Sequence, residues 1–251
     1  MMKKPLISVI ISYYKKKKFI KKTLISILNQ TYKNYEIIFV FDEENSSDIK
    51  YIKSLLSKCK RKKIIINKKN LGVSRSRNIA IKHSKGKYLA FIDADDIWKK
   101  NKLLKQLYFM EKNSHHFSFT SYAVVNENGK ILKERKVNHD AEYSNLYQSN
   151  FIGLSTVMLN KKVLRKLNFP NLTTQEDFGL WLKIARKGFK LKHFNQTLSF
   201  WRKSKNSLSS NTINKLRDAF KLYYIYEKKN FIFSIYSVIV LSYNKLIKNF
   251  N

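Results

Sequence analysis

Three carboxylates stand together at the end of one apolar segment. Residues 88–92 are followed by Asp93, Asp95 and Asp96, in a chain that has 17 acidic residues against 51 basic ones. Acidic side chains at the tip of a buried strand are costly unless a positive charge neutralises them. Carboxylate oxygens suit Mg²⁺ or Mn²⁺, which bind through one or two carboxylates together with substrate phosphates. The alternative is a solvated turn in which an aspartate caps the next helix.

The composition is that of a globular chain. Its 251 residues, of which 43% are hydrophobic and 14% aromatic, are enough for one domain, or for one domain with a tail. The single cysteine, Cys59, excludes an internal disulfide framework and is typical of a reducing compartment. No Cys/His cluster offers a zinc site. The first five residues lead directly into a strand-like segment, so we expect no secretory signal and a cytoplasmic location.

The net charge of +34 attracts nucleic acid, anionic lipid and phosphorylated substrates. The lysines are spread along the whole chain, so this charge does not identify a specific partner by itself. Attraction to anionic membrane surfaces follows from it physically.

Strand and helix patterns alternate through the first hundred residues. Buried strands are predicted at residues 6–12, 35–41, 63–66 and 88–92, and helical spacing of apolar residues occurs at 19–29, 47–59 and 73–83. This alternation predicts βαβ units and a parallel sheet.

The regular alternation of strand and helix patterns ends after residue 98. We expect a helix at 102–110, a hairpin at 117–134, a polar loop at 137–151, a strand at 155–159, a short helix at 161–167, an amphipathic helix at 176–187, short strands at 191–194 and 198–201, and a helix at 211–228. The apolar segment 231–243 is shorter than the roughly 20 residues that span a bilayer. We expect it to form a helix buried against the domain, and the alternative is an interfacial membrane helix.

Four segments follow one another in a distinctive order. They are Ser8-Val-Ile-Ile-Ser-Tyr-Tyr14, then Glu36-Ile-Ile-Phe-Val-Phe-Asp42, then Asn70-Leu-Gly-Val-Ser-Arg-Ser-Arg-Asn78 with the acidic strand end at residues 86–96, and finally Gln175-Glu-Asp-Phe-Gly-Leu-Trp-Leu-Lys183. Over residues 6–200 this set resembles the family 2 glycosyltransferases, which are inverting enzymes of GT-A fold. The resemblance implies an α/β fold, with a Rossmann-like, mostly parallel sheet flanked by helices. We expect a catalytic domain at residues 1–210 and a helical C-terminal extension at 211–251.

The resemblance also implies a nucleotide site. Ser12, Tyr14 and Asp42 stand where the family holds the donor nucleotide, and an Asp can accept from a base N–H while a Tyr stacks on the base. Tyr14 as a packed aromatic and Asp42 as a turn residue are the alternatives. Arg75 or Arg77 would support the nucleotide or order the acidic strand end, unless they only begin the helix and pack there.

The acidic strand end matches the family's Asp-x-Asp motif, which implies Mn²⁺ or Mg²⁺ as cofactor. Asp95 is the expected metal ligand, and Asp93 is expected to face the nucleotide sugar or the metal. Asp96 is expected to cap the following helix.

Asp177 matches the family's general base, and it opens a helix together with Glu176. Inversion requires an acceptor hydroxyl to attack from the face opposite the leaving diphosphate, and a carboxylate within hydrogen-bond reach removes its proton. A metal neutralises charge on the departing phosphate. The alternative role for Asp177 is helix capping.

Three further residues are candidates on the donor or acceptor side. Trp98 is expected either in the donor pocket or in the core. Trp201 and Arg202, with the loop at 203–209, match a family segment that closes over the diphosphate, and the alternative is a solvated loop.

The resemblance therefore implies transfer of a single sugar from a nucleotide-sugar, which we expect to be UDP-linked, to a hydroxyl of a growing surface glycan. The acceptor would belong to lipopolysaccharide, capsule or a lipid-linked oligosaccharide, at the inner face of the cytoplasmic membrane. A sugar-phosphate nucleotidyltransferase would need a Gly-rich loop after the first strand, and none is present there. A non-catalytic basic module that binds membrane or nucleic acid would leave the acidic positions unexplained. We expect no nucleic-acid partner.

Overall fold

The computed structural model describes residues 4–204 and 211–250, with side chains up to residue 247. The start of the chain and most of the predicted loop at 203–209 lie outside the described residues. Strands β1 (Ile7–Tyr13), β2 (Tyr35–Phe41), β3 (Lys62–Ile66) and β4 (Tyr88–Phe91) alternate with helices α1 (Lys17–Leu28), α2 (Ser46–Leu55) and α3 (Val73–His83). Strand β1 pairs in parallel with β2 and β4, and β2 pairs in parallel with β3. The predicted βαβ units are confirmed.

The rest of the described chain extends the same sheet. Its elements are β5 (Ile97–Trp98), α4 (Lys102–Lys112), β6 (Phe117–Val125), β7 (Ile131–Arg135), α5 (Tyr143–Gln148), β8 (Met158–Asn160), α6 (Glu176–Arg186) and β9 (Lys192–Arg202). The strand order is β3-β2-β1-β4-β8-β6-β9-β5, and β7 pairs with β6. Strand β8 is antiparallel to β4 and β6, whereas β6 and β9 are parallel. The carboxyl ends of β1, β2 and β4 therefore meet at one edge, where α/β sheets bind ligands.

Helices cover both faces of the parallel strands. On one face Ile20 and Leu24 of α1 share an apolar cluster with Val9 of β1. On the other face Trp181 of α6 packs against Phe91 of β4, with ring centroids 6.4 Å apart. Strands that are buried on both faces consist of continuous apolar residues. This pattern explains why the parallel strands could be predicted from the sequence. The expected α/β fold class is confirmed.

Three predictions in the second half are wrong. The strand expected at 155–159 is the shorter β8, which follows a 3-10 turn at Leu154–Thr156. The expected loop at 137–151 contains helix α5, a six-residue helix that escapes detection because only Leu146 on it is buried. The two short strands expected at 191–194 and 198–201 are one strand, β9. Its register against β6 shifts between Phe194 and Thr197, so a local irregularity looks like a break in the sequence.

The C-terminal segment contains α7 (Thr212–Lys221), a π-helical turn (Leu222–Tyr226) and α8 (Phe231–Phe250). Only one face of α8 is buried against the domain, through Ser234, Ser237 and Leu241. The opposite face exposes Ile232 and several other apolar side chains. In residues 4–204 and 211–250, no helix combines the length and the apolar character that crossing a bilayer would require.

Helices α7 and α8 are tied to the rest of the fold. Asp218 of α7 accepts hydrogen bonds from the backbone N–H groups of Thr173 and Thr174, at 3.0 and 2.8 Å. A Cβ added at Gly179 of α6 would lie 2.9 Å from Leu222, so the π-helical turn packs directly on α6. The division at residue 210 stays a prediction.

Candidate active site

A large open cavity lies at the carboxyl ends of the parallel strands. Its volume is about 1860 Å³. Ten of the residues predicted from the sequence line it: Ser12, Tyr14, Asp42, Arg77, Asp93, Asp95, Glu176, Asp177, Trp201 and Arg202. The fold therefore brings residues that are far apart in the chain to one site.

Arg77 links two acidic segments of the cavity. Its buried guanidinium donates to Asp93 Oδ1 at 2.6 Å and to Glu176 Oε1 at 2.5 Å. Burial raises the pKa of Glu176, and the charge of Arg77 opposes that rise. Arg77 thus fixes the end of β4 relative to the start of α6, and this agrees with its predicted ordering of the acidic strand end.

Asp95 is paired with a lysine from the loop after β1. Lys16 Nζ lies 2.7 Å from Asp95 Oδ2, and both side chains are largely buried. Burial raises the pKa of Asp95, the charge of Lys16 lowers it, and the nearby Asp93 raises it again. Lys16 therefore supplies a positive charge at this carboxylate in the absence of any ligand.

Asp96 also lines the cavity, and its carboxylate is held in a hydrogen-bond network. Ser155 Oγ donates to Asp96 Oδ2 at 2.5 Å, and the Arg202 N–H donates to Asp96 Oδ1 at 2.9 Å. Ser155 Oγ also accepts from the Asp93 N–H at 3.0 Å. Burial, and then the charges of Asp93 and Asp95, hold the pKa of Asp96 well above its usual range. The predicted helix cap is wrong, because the short strand β5 follows Asp96 and α4 begins only at Lys102.

The carboxylates fit a metal that shares its coordination with a substrate. Within the described residues, no three His, Cys, Asp or Glu side chains form a metal site made of protein groups alone. Asp93 and Asp95 offer carboxylate oxygens at the cavity wall, and Mg²⁺ or Mn²⁺ needs only one or two of these when phosphates complete the shell. The pairing of Asp95 with Lys16 indicates that this position stabilises a cation.

Asp177 lies in the first turn of α6, where the structure puts it on the cavity wall. Gln175, just before the helix, has a left-handed backbone with φ of 63°, which turns the chain sharply into α6. The carboxylate accepts from the following N–H of Phe178 at 2.7 Å. Burial and then the adjacent Glu176 raise the pKa of Asp177 to about 7, against the lowering effect of Arg77. A carboxylate with such a pKa can take up a proton near neutral pH.

The predicted nucleotide-side residues Tyr14 and Asp42 directly follow β1 and β2. Tyr14 is exposed, and Lys15 Nζ lies 5.1 Å from its ring centroid. Asp42 is buried and accepts from the N–H groups of Leu71 and Gly72 at 2.8 and 2.9 Å. Asp42 thus orders the loop that leads into α3, and its contact with a base stays a prediction.

A family model described as Glycosyl transferase family 2 matches residues 8–167, more than half of the chain. The chain belongs to glycosyl transferase family 2. It is similar to the UDP-Glc:alpha-D-GlcNAc-diphosphoundecaprenol beta-1,3-glucosyltransferase WfaP of Escherichia coli, with 34% identity over 218 residues that cover 84% of this chain and 82% of WfaP. It is also similar to TuaG of Bacillus subtilis, a glycosyltransferase ascribed to teichuronic acid biosynthesis, with 34% identity over 228 residues, 90% of this chain and 88% of TuaG.

Solved structures share the fold of this glycosyltransferase. TarS of S. aureus in complex with UDP-GlcNAc gives a TM-score of 0.71 at 20% identity, over 87% of this chain and 65% of that one. The mannosyltransferase PcManGT of Pyrobaculum calidifontis, in complex with GDP-Man and Mn²⁺, gives 0.70 at 14% identity, over 91% of this chain and 66% of that one. The chain thus spans slightly less than two thirds of either structure, and likenesses at this identity establish the GT-A fold.

Two of the predicted site residues lie elsewhere in this glycosyltransferase. Arg75 is exposed on α3 and does not line the cavity. Trp98 is buried in the core, where its Nε1–H donates to the Ser155 carbonyl at 2.7 Å and Lys102 Nζ lies 4.3 Å from its ring centroid. Trp98 therefore packs in the core, which was the alternative to a place in the donor pocket.

Trp201 and Arg202 belong to the end of β9 rather than to a solvated loop. Arg202 is buried, and its Nε–H donates to the Asp95 carbonyl at 2.8 Å. Its guanidinium also donates to the carbonyl groups of Asn126 and Glu127. Arg202 therefore holds the acidic strand end against the β6–β7 hairpin, and a role toward the diphosphate stays a prediction.

Three important residues were missed by sequence reasoning. Lys16 is one of four consecutive lysines, so nothing local distinguishes it. Ser155 and Asp218 act through contacts with residues more than forty positions away in the chain. Such long-range partners leave no local signal.

Proposed function

We propose that this glycosyltransferase transfers one sugar, with inversion, from a UDP-sugar to a hydroxyl of a lipid-linked acceptor in surface glycan biosynthesis. The observation that carries the proposal is Asp177, a carboxylate with a pKa of about 7, on the same cavity wall as the Asp93–Arg77–Glu176 chain. The same cavity thus combines residues suited to a nucleotide diphosphate with a carboxylate suited to an acceptor hydroxyl.

The donor side combines Ser12 and Tyr14 after β1 with Asp93 and Asp95 after β4. Support for a UDP-sugar comes from the relative WfaP, whose name specifies UDP-Glc, and from TarS, which was solved with UDP-GlcNAc. The exposed ring of Tyr14 is suited to stacking on a base.

Asp95 and Asp93 would hold the Mn²⁺ or Mg²⁺, and PcManGT, which has this fold, was solved with Mn²⁺. The metal, when bound, neutralises negative charge on the leaving diphosphate. Lys16 pairs with Asp95 at 2.7 Å, so a metal at this carboxylate would compete with the ammonium group.

Asp177 acts as the general base. It accepts the proton of the acceptor hydroxyl as the oxygen attacks the anomeric carbon from the face opposite the diphosphate. Glu176, held by Arg77, keeps the first turn of α6 in place. Asp218 holds Thr173 and Thr174, so the segment that leads into the base is fixed at two points.

The acceptor and the location follow from the relatives and from α8. WfaP is named for a diphosphoundecaprenol-linked acceptor, and TuaG for an envelope polymer. The exposed apolar face of α8 and the excess of lysine favour peripheral contact with the anionic inner face of the cytoplasmic membrane. Neither a nucleotidyltransferase nor a non-catalytic basic module accounts for the family match together with a base at the cavity wall.

The test is a panel of nucleotide-sugars, offered with and without Mn²⁺ together with a sugar-diphosphate-lipid acceptor. We expect transfer from one UDP-sugar, dependence on Mn²⁺, and a product with inverted anomeric configuration by NMR. Transfer with retention, or transfer that EDTA leaves unchanged, would contradict the proposal.

A further inference from the structure

The cavity has a second, basic wall that the proposed chemistry does not use. Lys133 and Arg135 from β7, Lys215 from α7 and Lys245 from α8 all line it. In the described part of the chain, neither Lys215 nor Lys245 has a carboxylate within the 4.0 Å of an ion pair. The positive charges of Lys215 and Lys245 are therefore not neutralised by carboxylates of the described residues.

The cations of the basic wall are close enough to repel one another. Partial burial, the neighbouring Lys215 and Arg135 all lower the pKa of Lys245. Slight desolvation, and then the charges of Arg135 and Lys203, likewise lower the pKa of the exposed Lys133. An anion bound between these side chains would relieve the repulsion, because each ammonium would gain an opposite charge.

The basic wall adjoins the helix with the exposed apolar face. Leu241 and Lys245, one turn apart on α8, both line the cavity. The outer face of the same helix exposes Ile232, Tyr236 and Ile239, of which Ile232 is 80% exposed. Charged and apolar surfaces thus meet on one helix, an arrangement that suits a ligand with an anionic head and a hydrocarbon chain.

Lys215 and Lys245 belong to other elements of the fold than the predicted donor residues. Donor residues follow β1, β2 and β4, whereas α8 rests on α5, where Tyr147 and Ser237 hydroxyls lie 3.1 Å apart and Asn244 donates to the Gln148 carbonyl at 2.9 Å. Lys215 and Lys245 therefore come from the C-terminal helices, and the acceptor is the ligand that the donor residues leave for them to bind.

We propose that Lys215 and Lys245 bind the diphosphate of a lipid-linked acceptor, whose hydrocarbon chain leaves the cavity along the outer face of α8. This inference rests on the proposed function, since it assigns the part of the acceptor that the two lysines recognise. A diphosphate offers several acceptor oxygens, and lysine binds phosphate as a point charge.

The experiment compares the parent with the double variant K215Q/K245Q. The matched control is K50Q/K53Q, which removes two exposed lysines of α2 outside the cavity. Calorimetry first measures UDP affinity with Mn²⁺, and then farnesyl diphosphate affinity with UDP–Mn²⁺ saturating. We expect K215Q/K245Q to bind farnesyl diphosphate roughly tenfold more weakly, the order expected for lost charge-assisted contacts, with UDP affinity and the control unchanged.

Three outcomes would overturn the inference: a parent that does not bind farnesyl diphosphate, a double variant that binds it like the parent, or a parallel loss of UDP affinity. A second arm uses phosphatidylcholine vesicles with phosphatidylglycerol. If K215Q/K245Q loses vesicle binding as strongly as it loses farnesyl diphosphate, the lysines are general membrane contacts and the inference is wrong. Failure of the parent to bind UDP would instead contradict the proposed function, and the farnesyl diphosphate titration without nucleotide would still test the two lysines.

Discussion

Lys16 Nζ lies 2.7 Å from Asp95 Oδ2, so the carboxylate expected to bind a metal carries a protein cation in the free enzyme. Lys15, just before it, has a left-handed backbone with φ of 49°, and the turn it makes directs the chain from β1 into α1. A Mn²⁺ ion at the proposed site would have to compete with this ammonium for Asp95. We therefore expect Lys16 to lower the affinity for Mn²⁺ in the absence of nucleotide.

Replacing Lys16 by Gln should strengthen binding of Mn²⁺ in the absence of nucleotide. We expect the Kd for Mn²⁺ to fall roughly three- to tenfold, because a partly buried ion pair with Asp95 is worth about 1 kcal/mol. Electron paramagnetic resonance of free Mn²⁺ measures this directly. Lys17→Gln, one position away on an exposed side chain, is the control. Unchanged or weaker Mn²⁺ binding in K16Q would show that the ion pair does not compete with the metal.

Replacing Asp177 by Asn keeps the shape of the side chain but removes its ability to take a proton. Transfer should fall on the order of 10²–10⁴-fold, while UDP–Mn²⁺ affinity stays within a few-fold, because the base faces the acceptor. Transfer rate and donor affinity are measured in the same variant. A transfer rate close to that of the parent would remove Asp177 from the mechanism, and joint loss of donor binding would make its role structural.

The pH dependence of transfer follows from the raised pKa of Asp177. Because the base must be ionised, kcat/KM should be constant above about pH 7 and fall about tenfold per pH unit below it. Glu176 raises the pKa of Asp177, so Glu176→Gln should move this acid limb to lower pH. Glu111→Gln, on α4 and outside the cavity, should leave the limb in place. An acid limb that does not move in E176Q would mean that another group titrates.

Much of the donor side could be predicted from the sequence, because its residues directly follow strands with a clear apolar pattern. Asp93 and Asp95 are examples, since β4 ends just before them. The pairing of β6 with β9 could not be predicted, because it joins segments about seventy residues apart and β9 changes register at Asn195 and Gln196.

Residues whose function depends on a distant partner were the ones that sequence reasoning missed or misplaced. Asp218 looks like an ordinary polar residue of α7, yet it is buried and caps the loop before α6. Trp98 follows the acidic motif, and an aromatic side chain there could face either the cavity or the core. In the structure its ring lies in the core, where it donates a hydrogen bond to the Ser155 carbonyl.

Replacing Asp218 of α7 by Ala should disturb the position of Asp177, the proposed base. The N–H groups of Thr173 and Thr174 would lose their acceptor, so the free energy of unfolding should fall by about 1–3 kcal/mol. Transfer should fall more than UDP–Mn²⁺ affinity. Asp218→Asn retains one oxygen acceptor and should recover most of both properties. Urea unfolding and transfer assays measure the two effects, and equal behaviour of D218A and D218N would contradict the hydrogen-bond explanation.

The outer face of α8 should bind membranes through its apolar side chains. Deleting the helix would expose the core under Leu241 and Ser237, so point substitutions are the cleaner test. Ile232→Gln with Ile239→Gln changes side chains that are 80% and 60% exposed, and vesicle binding should weaken roughly five- to thirtyfold through lost apolar insertion. The matched control is Leu104→Gln with Tyr108→Gln on α4, which are also exposed. Co-sedimentation with phosphatidylglycerol vesicles measures the effect.

The vesicle binding that remains in the α8 variant should depend strongly on salt, because the attraction of lysines to anionic lipid is screened within about 8–10 Å. If both double variants sediment like the parent, α8 does not contact the membrane.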